Sequence, residues 1–371
     1  IDAFGTACET KGNRKLGEIL GWIPVLGALA MAIGYTVVMG WILKYMVGTF
    51  TGSTLSAENI DGFTESFSTM ASAGGNNLWQ VLALCICVVI LMFGVGSGIE
   101  KANKIMMPIF FVLFVILGIY VAFQPGSSAG YQYIFRVDPA ALSDPNTWIF
   151  ALGQAFFSLS LGMGVMMTYA SYLSNEDNLI SNTGIVCVLD TLVALFAGFM
   201  IIPAVFATGI DPGMGGGFAF ATLAGVFEAI PGGTLFGLLF YFLLFFAAVT
   251  SSTSIMEGTI AFLIEEKGLK RNHALLGTSV VVFIIGVFYT LSQVYMNIKG
   301  IWISKNGIEY PIFGDFLEYL TDRLLLPLGA LFSVICVGWV WSPEKSVEEA
   351  TSHGRFKFSL APVYKFMVKI V

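Results

Sequence analysis

The sequence predicts an all-α polytopic membrane protein, and three observations support this. The chain has 371 residues, of which 56% are hydrophobic and 11% charged, and its mean hydropathy is +0.82. Its apolar runs are long enough to cross a bilayer as helices, which takes about 20 residues each, and polar or glycine-rich stretches separate them. Such a composition excludes an ordinary soluble domain. We predict eight spans, at residues 18–47, 79–98, 105–125, 147–172, 182–208, 232–264, 272–294 and 313–341.

The segments between and beyond the spans are predicted as loops. Residues 1–17 form a cytoplasmic loop, and 342–371 form another that leads into the start of a further helix, so we expect a fragment at both ends. The glycine-rich loop 211–233 has enough apolar residues for a short helical lid, with a solvated connector as the alternative. Basic residues on the side of the N-terminal loop outnumber those on the other side by eleven to five, which places that loop in the cytoplasm.

The segment 151–172 differs from a plain membrane anchor. Ser158, Ser160, Gly162 and Gly164 lie at its centre, and glycine destabilises a helix by about 1 kcal/mol relative to alanine. Unwound backbone at membrane depth is tolerated only where it lines a cavity or is buried in protein. We therefore predict a discontinuous helix whose free carbonyls and half-helix ends hold an ion and a small zwitterion at the midplane. The alternative is a helix–helix contact between small residues.

Several polar residues lie inside apolar spans. Asp190 and Glu257 are costly there unless each meets a bound cation or is protonated and bonded to a neighbouring helix. Five consecutive hydroxyl residues occupy positions 250–254. Hydroxyl and carbonyl oxygens suit a hard cation such as sodium or potassium, and not zinc. Tyr35 lies in mid-span, where its hydroxyl needs either a substrate carboxylate or a helix carbonyl as partner.

Motifs of enzymes are missing from the sequence. It has no HExxH motif, its two histidines lie near loops, and the glycine-rich run 94–98 ends a membrane segment instead of following a strand. The five cysteines have no metal-binding spacing and are predicted to pack as apolar residues. We expect neither an enzyme nor a nucleic-acid partner.

Four stretches together resemble the neurotransmitter:sodium symporter family, and most closely its bacterial amino-acid transporters. They are GIEKANKIMMP (98–108), GQAFFSLSLGMG (153–164), TYASY (168–172) and FFAAVTSSTSIMEG (245–258). The resemblance implies a single transmembrane transporter domain over 1–371, with a LeuT-type five-plus-five inverted-repeat fold that is incomplete. Helices 3 to 10 and the start of helix 11 are implied, with 18–125 as the remainder of the first repeat and 147–341 as the second.

The resemblance also implies a substrate site and two sodium sites, both of them incomplete without the family's first helix. The implied substrate-binding residues are Met31, Tyr35 (to the carboxylate), Phe157 (as a lid), Ser158, Ser160, Met163, Ser251, Ser254 and Ile255. Ser158 and Asp190 are implied for the first sodium ion. The second ion is implied at Ala247, Thr250 and Ser251. The cytoplasmic gate is implied at Ser171, Tyr172 and Glu265, and the outer gate at Asp315 or Glu318.

The implied function is sodium-coupled symport of a neutral amino acid across the cell membrane by alternating access. The apolar side chains of Met31, Met163 and Ile255 favour a hydrophobic or aromatic substrate. Asp190 supplies a negative charge where the resemblance implies asparagine in many relatives, so we expect chloride independence. A channel-like or inactive scaffold of the same fold is the alternative. The expected partners are a small-molecule amino acid and the lipid bilayer, and a homodimer is left open.

Overall fold

The computed structural model describes residues 1–55, 57, 60–72, 74–136, 138–174, 176–208, 218–292 and 313–370. This part of the chain is nearly all helical and contains no β-strand, which confirms the predicted all-α class. Its α-helices are α1 (Asp2–Glu9), α2 (Arg14–Thr51), α3 (Ile60–Ser72), α4 (Asn77–Met92), α5 (Glu100–Ala122), α6 (Ser127–Ile134), α7 (Pro139–Ser143), α8 (Pro145–Ser158), α9 (Val165–Ser171), α10 (Leu179–Thr208), α11 (Leu223–Ala229), α12 (Gly233–Glu265), α13 (Arg271–Ser292), α14 (Phe313–Glu318), α15 (Leu326–Ile335), α16 (Pro343–Ala350) and α17 (Ala361–Ile370). Short π-helical turns precede α5 and α11 and flank α15.

The predicted spans are present as helices. Within the described residues, six are long and apolar enough to cross a membrane: Arg14–Thr51, Val95–Ala122, Leu179–Ala207, Gly233–Glu265, Arg271–Leu291 and Phe316–Trp341. The 16-residue helix α4 and the pair α8 and α9 occupy the two remaining predicted positions. The chain is therefore a multi-pass membrane protein.

Two predicted connections are wrong. The break between the second and third spans lies at residues 93–94 and not at 99–104, because Gly94 adopts a positive φ of 77° that glycine tolerates without steric cost. Residues 1–17 are not an irregular loop, since they contain α1 and the start of α2. α1 packs closely on α2 at Gly17 and Gly21, where any side chain would collide with the backbone of Phe4 or Ile1.

Short helices also occupy the other loops, as α3, α6, α7 and α11. Of the predicted loop 211–233, residues 211–217 lie outside the described residues, and the remainder is helical over 218–229. Phe220 stacks on Phe67 with ring centroids 5.0 Å apart and meets the edges of Trp41 and Tyr45. The predicted short helix is thus present and packed against α2 and α3.

α2 is the central helix of the bundle and packs along α12, α4 and α13. The closest packing surrounds Gln80 of α4, which is fully buried. A Cβ at Gly40 of α2 or at Gly286 of α13 would collide with it, and its side-chain amide donates to the Thr36 hydroxyl at 3.2 Å. This tight core positions α2 and α12 beside the candidate site.

α10 contrasts with α2 because most of its surface is exposed. Its most apolar window is only 6% buried, and Leu189, Leu192 and Leu195 point outward. An apolar surface that runs along a whole exposed helix marks a face that meets a membrane or another protein.

Candidate functional site

The interrupted helix forms one wall of the site. α8 ends at Ser158 and α9 begins at Val165. Between them, Ser160, Gly162 and Gly164 have φ angles of 54°, 88° and 71°. The amides of Leu159, Ser160 and Leu161 still donate to the last turn of α8, and these conformations end the helical hydrogen-bond ladder beyond it. The predicted discontinuous helix is confirmed.

The close small-residue contact considered as an alternative is present as well, at Gly162. A Cβ there would collide with the carbonyl oxygen of Leu326 and the amide nitrogen of Ala330. A Cβ at Gly329 would collide with the backbone of Gly162 in turn. The interruption is therefore held against α15 by packing of backbone on backbone.

The two residues predicted for the first sodium ion meet across this interruption. Ser158 Oγ donates a hydrogen bond of 2.6 Å to Oδ1 of Asp190, which is half-buried on α10. In the described part of the chain, no basic side chain lies within ion-pair distance of Asp190. A carboxylate, a hydroxyl and helix-end carbonyls form a donor set that fits a hard cation.

A cavity of about 530 Å³, here called the central cavity, lies between α2, α5, α8, α9 and α12. All nine residues predicted to bind substrate line it: Met31, Tyr35, Phe157, Ser158, Ser160, Met163, Ser251, Ser254 and Ile255. Apolar and polar side chains share the wall, and hydroxyl groups converge from α8 and α12. Polar groups that converge on a cavity with apolar wall segments can fix the orientation of a bound small molecule.

α12 remains continuous through its five hydroxyl residues. Thr250 Oγ1 donates to the Ala247 carbonyl oxygen at 2.9 Å, and Ser254 Oγ donates to the Thr250 carbonyl oxygen at 2.9 Å. Ser251 lies beside the phenol of Tyr35. Because the Thr250 and Ser254 hydrogens point to their own helix, the hydroxyl lone pairs are left for other partners. The three residues predicted for the second sodium ion lie within about one turn of α12.

A second cavity, of about 410 Å³, continues from the central cavity beyond Tyr35 and Phe157, which line both. Glu318 lines its far side and accepts a hydrogen bond of 2.6 Å from Tyr289. Of the two acids predicted for an outer gate, Glu318 therefore lines the second cavity. The side chain of Asp315 lies outside the described residues.

A third cavity, of about 370 Å³, lies at the opposite end of the site, beyond Met163. Ser171 and Glu265, both predicted for a gate, line it. Tyr172, the third predicted gate residue, donates its hydroxyl hydrogen to Glu257 at 3.0 Å. The predicted gate residues therefore lie at one end of the bundle, with Tyr172 bonded to a carboxylate other than Glu265.

Glu257 is 0% exposed and forms an ion pair with Arg271. The guanidinium donates through Nη2 to Oε2 at 2.6 Å and through Nη1 to Oε1 at 2.9 Å. Its Nε and Nη2 also donate to the carbonyl oxygen of Leu91, both at 3.1 Å. The expectation that Glu257 meets a bound cation or is protonated is wrong, because the protein supplies the counter-ion itself.

Sequence reasoning missed Arg271 and also residues that α5 and α8 add to the central cavity, namely Asn103, Met107 and Gln154. A signal for Arg271 existed. Glu257 lies about two turns before the end of α12, and Arg271 begins α13, so an antiparallel hairpin brings them together. No such signal marks Asn103, whose position depends on how α5 packs across the cavity.

A multi-pass helical bundle with a discontinuous helix at a polar cavity is the architecture of secondary transporters. The profile of the sodium:neurotransmitter symporter family matches residues 59–371. A sodium-dependent transporter of Haemophilus influenzae is 32% identical over 100% of this chain and 81% of its own length. The chain therefore belongs to the sodium:neurotransmitter symporter family, and it is a transporter and not an enzyme.

Other similar proteins support the assignment to this family. The sodium-dependent transporter YhdH of Bacillus subtilis is 32% identical over 89% of this chain and 71% of its own length. The human sodium- and chloride-dependent GABA transporter 2 is 22% identical over 88% of this chain and 60% of its own length. The crystal structure of MhsT in complex with L-phenylalanine superposes with a TM-score of 0.83 at 31% identity, over 97% of this chain and 82% of that one. This match confirms the predicted LeuT-type fold.

Proposed function

We propose that the protein couples sodium entry to the uptake of a neutral, hydrophobic or aromatic amino acid across the cytoplasmic membrane by alternating access. The observation that supports this most is the central cavity, where the interrupted helix meets the hydroxyl-bearing face of α12. Ser158, Thr250 and Tyr35 converge there from three elements. The likeness to MhsT, whose structure holds L-phenylalanine, supports an amino acid as the substrate.

The amino-acid backbone is proposed to bind at the polar side of the cavity. Tyr35 donates its hydroxyl hydrogen to the substrate carboxylate, and the carbonyls of the interruption near Ser160 accept hydrogen bonds from the ammonium group. Met31 and Met163 then surround the side chain, and Phe157 covers it on the side of the second cavity. A charged side chain in this apolar part would lack a counter-ion, which disfavours glutamate and lysine as substrates.

Sodium is proposed to bind at two places, with Ser158 and Asp190 for the first ion and Thr250, Ser251 and the Ala247 carbonyl for the second. Sodium promotes substrate binding only to the extent that it binds the substrate-ready conformation more tightly. Each charge that crosses 100 mV contributes about 2.3 kcal/mol, so two ions moving with one zwitterion contribute about 4.6 kcal/mol. That energy corresponds to an accumulation ratio above about 1,000-fold.

The gates follow from the proposed orientation, in which the N-terminal part of the chain is cytoplasmic. The second cavity, which Glu318 lines, then faces outward, and the third faces the cytoplasm. Ser171 and Glu265 line the cytoplasmic exit, and Tyr172 closes against Glu257. Alternating access opens one of these ends at a time.

Asp190 is proposed to supply the negative charge beside the first sodium ion, so that transport needs no chloride. Replacing chloride by gluconate is expected to leave the initial uptake rate unchanged. An absolute chloride requirement would contradict this assignment.

The full-length protein in liposomes, supplied with radiolabelled leucine, phenylalanine or tryptophan, tests the proposal. We expect accumulation above equilibrium with an inward sodium gradient and none when potassium replaces sodium. Saturable uptake of glutamate or lysine without leucine or tryptophan would overturn the substrate assignment. Equilibration without accumulation would favour the channel-like alternative.

A further inference from the structure

We propose that the central cavity selects side chains with a hydrogen-bond donor at the tip, an indole or a phenol, over phenylalanine and leucine. The inference rests on the proposed function and narrows its substrate class. It is based on a one-way relay of hydrogen bonds at the deep end of the cavity, from Tyr169 through Ser254 to the Thr250 carbonyl.

The direction of the relay is fixed by the hydrogens available. Ser254 Oγ donates its only hydrogen to the Thr250 carbonyl oxygen at 2.9 Å. Tyr169 is therefore the donor in its bond of 3.1 Å to Ser254 Oγ. In the described part of the chain no group donates to the Tyr169 oxygen, which keeps its lone pairs. The open end of the relay is an acceptor.

The relay lies where a substrate side chain would end. Tyr169, Ser254 and Thr250 all line the central cavity. Ser254 is three residues beyond Ser251, which lies beside Tyr35, and three residues advance a helix by about 4.5 Å. A substrate whose carboxylate bonds Tyr35 thus directs its side chain deeper along α12, toward the Tyr169 oxygen. A large aromatic side chain spans this depth, and a small one does not.

Donor chemistry decides between aromatic substrates of similar size. The indole N–H of tryptophan and the phenol O–H of tyrosine can donate to Tyr169, whereas phenylalanine and leucine have no donor. Inside the protein such a bond is electrostatically stronger than in water, and a neutral hydrogen bond changes affinity by about 5-fold. A phenylalanine ring fills the same space but leaves the acceptor without a partner.

Competition against uptake of radiolabelled leucine by the full-length protein tests the inference. In the unaltered protein, half-inhibitory concentrations of tryptophan and tyrosine are expected to be about 5-fold below that of phenylalanine. The ratio of interest is the half-inhibitory concentration of phenylalanine divided by that of tryptophan. Tyr169→Phe removes the acceptor and is expected to bring this ratio to about one. Ser254→Ala frees the Tyr169 hydrogen and is expected to lower the ratio about 2-fold or more.

Thr290→Val is the matched control. The Thr290 hydroxyl also donates to a carbonyl of its own helix, that of Gly286 at 3.0 Å, but it belongs to α13 and does not line the central cavity, so the ratio is expected to persist. Leucine uptake in each variant reports folding. Equal inhibition by phenylalanine and tryptophan in the unaltered protein would overturn the inference even if no variant folds, and so would an unchanged ratio in Tyr169→Phe. Absence of sodium-dependent uptake of any amino acid would overturn the proposed function instead.

Discussion

Glu257 and Asp190 are two of the carboxylates inside membrane spans, and their surroundings differ. Glu257 is fully buried and has a fixed cation, Arg271, as its partner. Asp190 is half-buried and is bonded to a neutral group, the Ser158 hydroxyl, at 2.6 Å. Glu257 and its counter-ion in the protein tie helices together. Asp190 has only a neutral partner among the described residues, which supports the proposal that it binds a sodium ion.

The largest expected effect is on the paired carboxylate. Glu257→Gln leaves Arg271 without its counter-ion and is expected to lower the free energy of unfolding by about 3 kcal/mol, measured by denaturation in detergent. Glu100→Gln is the matched control, because the Glu100–Lys104 pair of 2.5 Å is on the surface, with side chains 55% and 72% exposed. The control is expected to change stability by less than about 1 kcal/mol. Equal losses of unfolding free energy in the two variants would show that the buried ion pair stabilises the protein no more than the surface pair does.

The next effect concerns the interruption between α8 and α9, beside which Ser158 meets Asp190. Gly162→Ala forces a side chain into a positive φ and against the Leu326 carbonyl, and is expected to cost about 2–3 kcal/mol and to abolish uptake. Gly153→Ala, in the preceding helix and with open space around it, is the control and is expected to be neutral or slightly stabilising. Normal uptake by Gly162→Ala would show that the interruption is dispensable.

Asp190→Asn tests whether the carboxylate with a neutral partner binds sodium. We expect the sodium concentration for half-maximal uptake to rise about 10-fold, which is about 1.4 kcal/mol, with little change in unfolding. Thr191→Val, whose hydroxyl bonds the Cys187 carbonyl of its own helix, is the neighbouring control and should leave sodium dependence unaltered. A sodium dependence that survives Asp190→Asn, or a large loss of stability, would place Asp190 with Glu257 as a structural residue.

The smallest effect is expected at Tyr172, whose hydroxyl is the second partner of Glu257 besides Arg271. Tyr172→Phe removes one hydrogen bond while the ion pair remains, so stability should fall by only about 1 kcal/mol. In the background of Glu257→Gln the same substitution should cost less, because the charged acceptor is gone. Additive losses, seen in the double variant, would mean that the two groups act independently.

Much of the fold can be predicted from the sequence because a helix that crosses the hydrocarbon core needs a long apolar run. Apolar runs of membrane-spanning length marked the eight spans, and Ser158, Gly162 and Gly164 marked the interruption. The break at Gly94 was misplaced, since an apolar run gives no sign of where one glycine adopts a positive φ. α1 was missed for a different reason, because its helix depends on packing against glycines of α2.

The candidate site was predicted in part. Family resemblance supplied the residues of the central cavity, and the structure brings them together. It did not supply Arg271, because pairing with Glu257 depends on how two helices turn back on each other. Nor did it supply the direction of the Tyr169–Ser254 bond, which depends on where each hydroxyl sends its hydrogen.

The guanidinium of Arg271 has a mechanical consequence. It binds the end of α4 through Leu91 and α12 through Glu257 while belonging to α13, so these three helices are tied together at one stiff corner. Tyr172, which directly follows α9, adds one hydrogen bond to that corner, against four from the arginine. If the proposed alternating access opens this end of the protein, we expect α9 to separate from the corner while α4, α12 and α13 move together there.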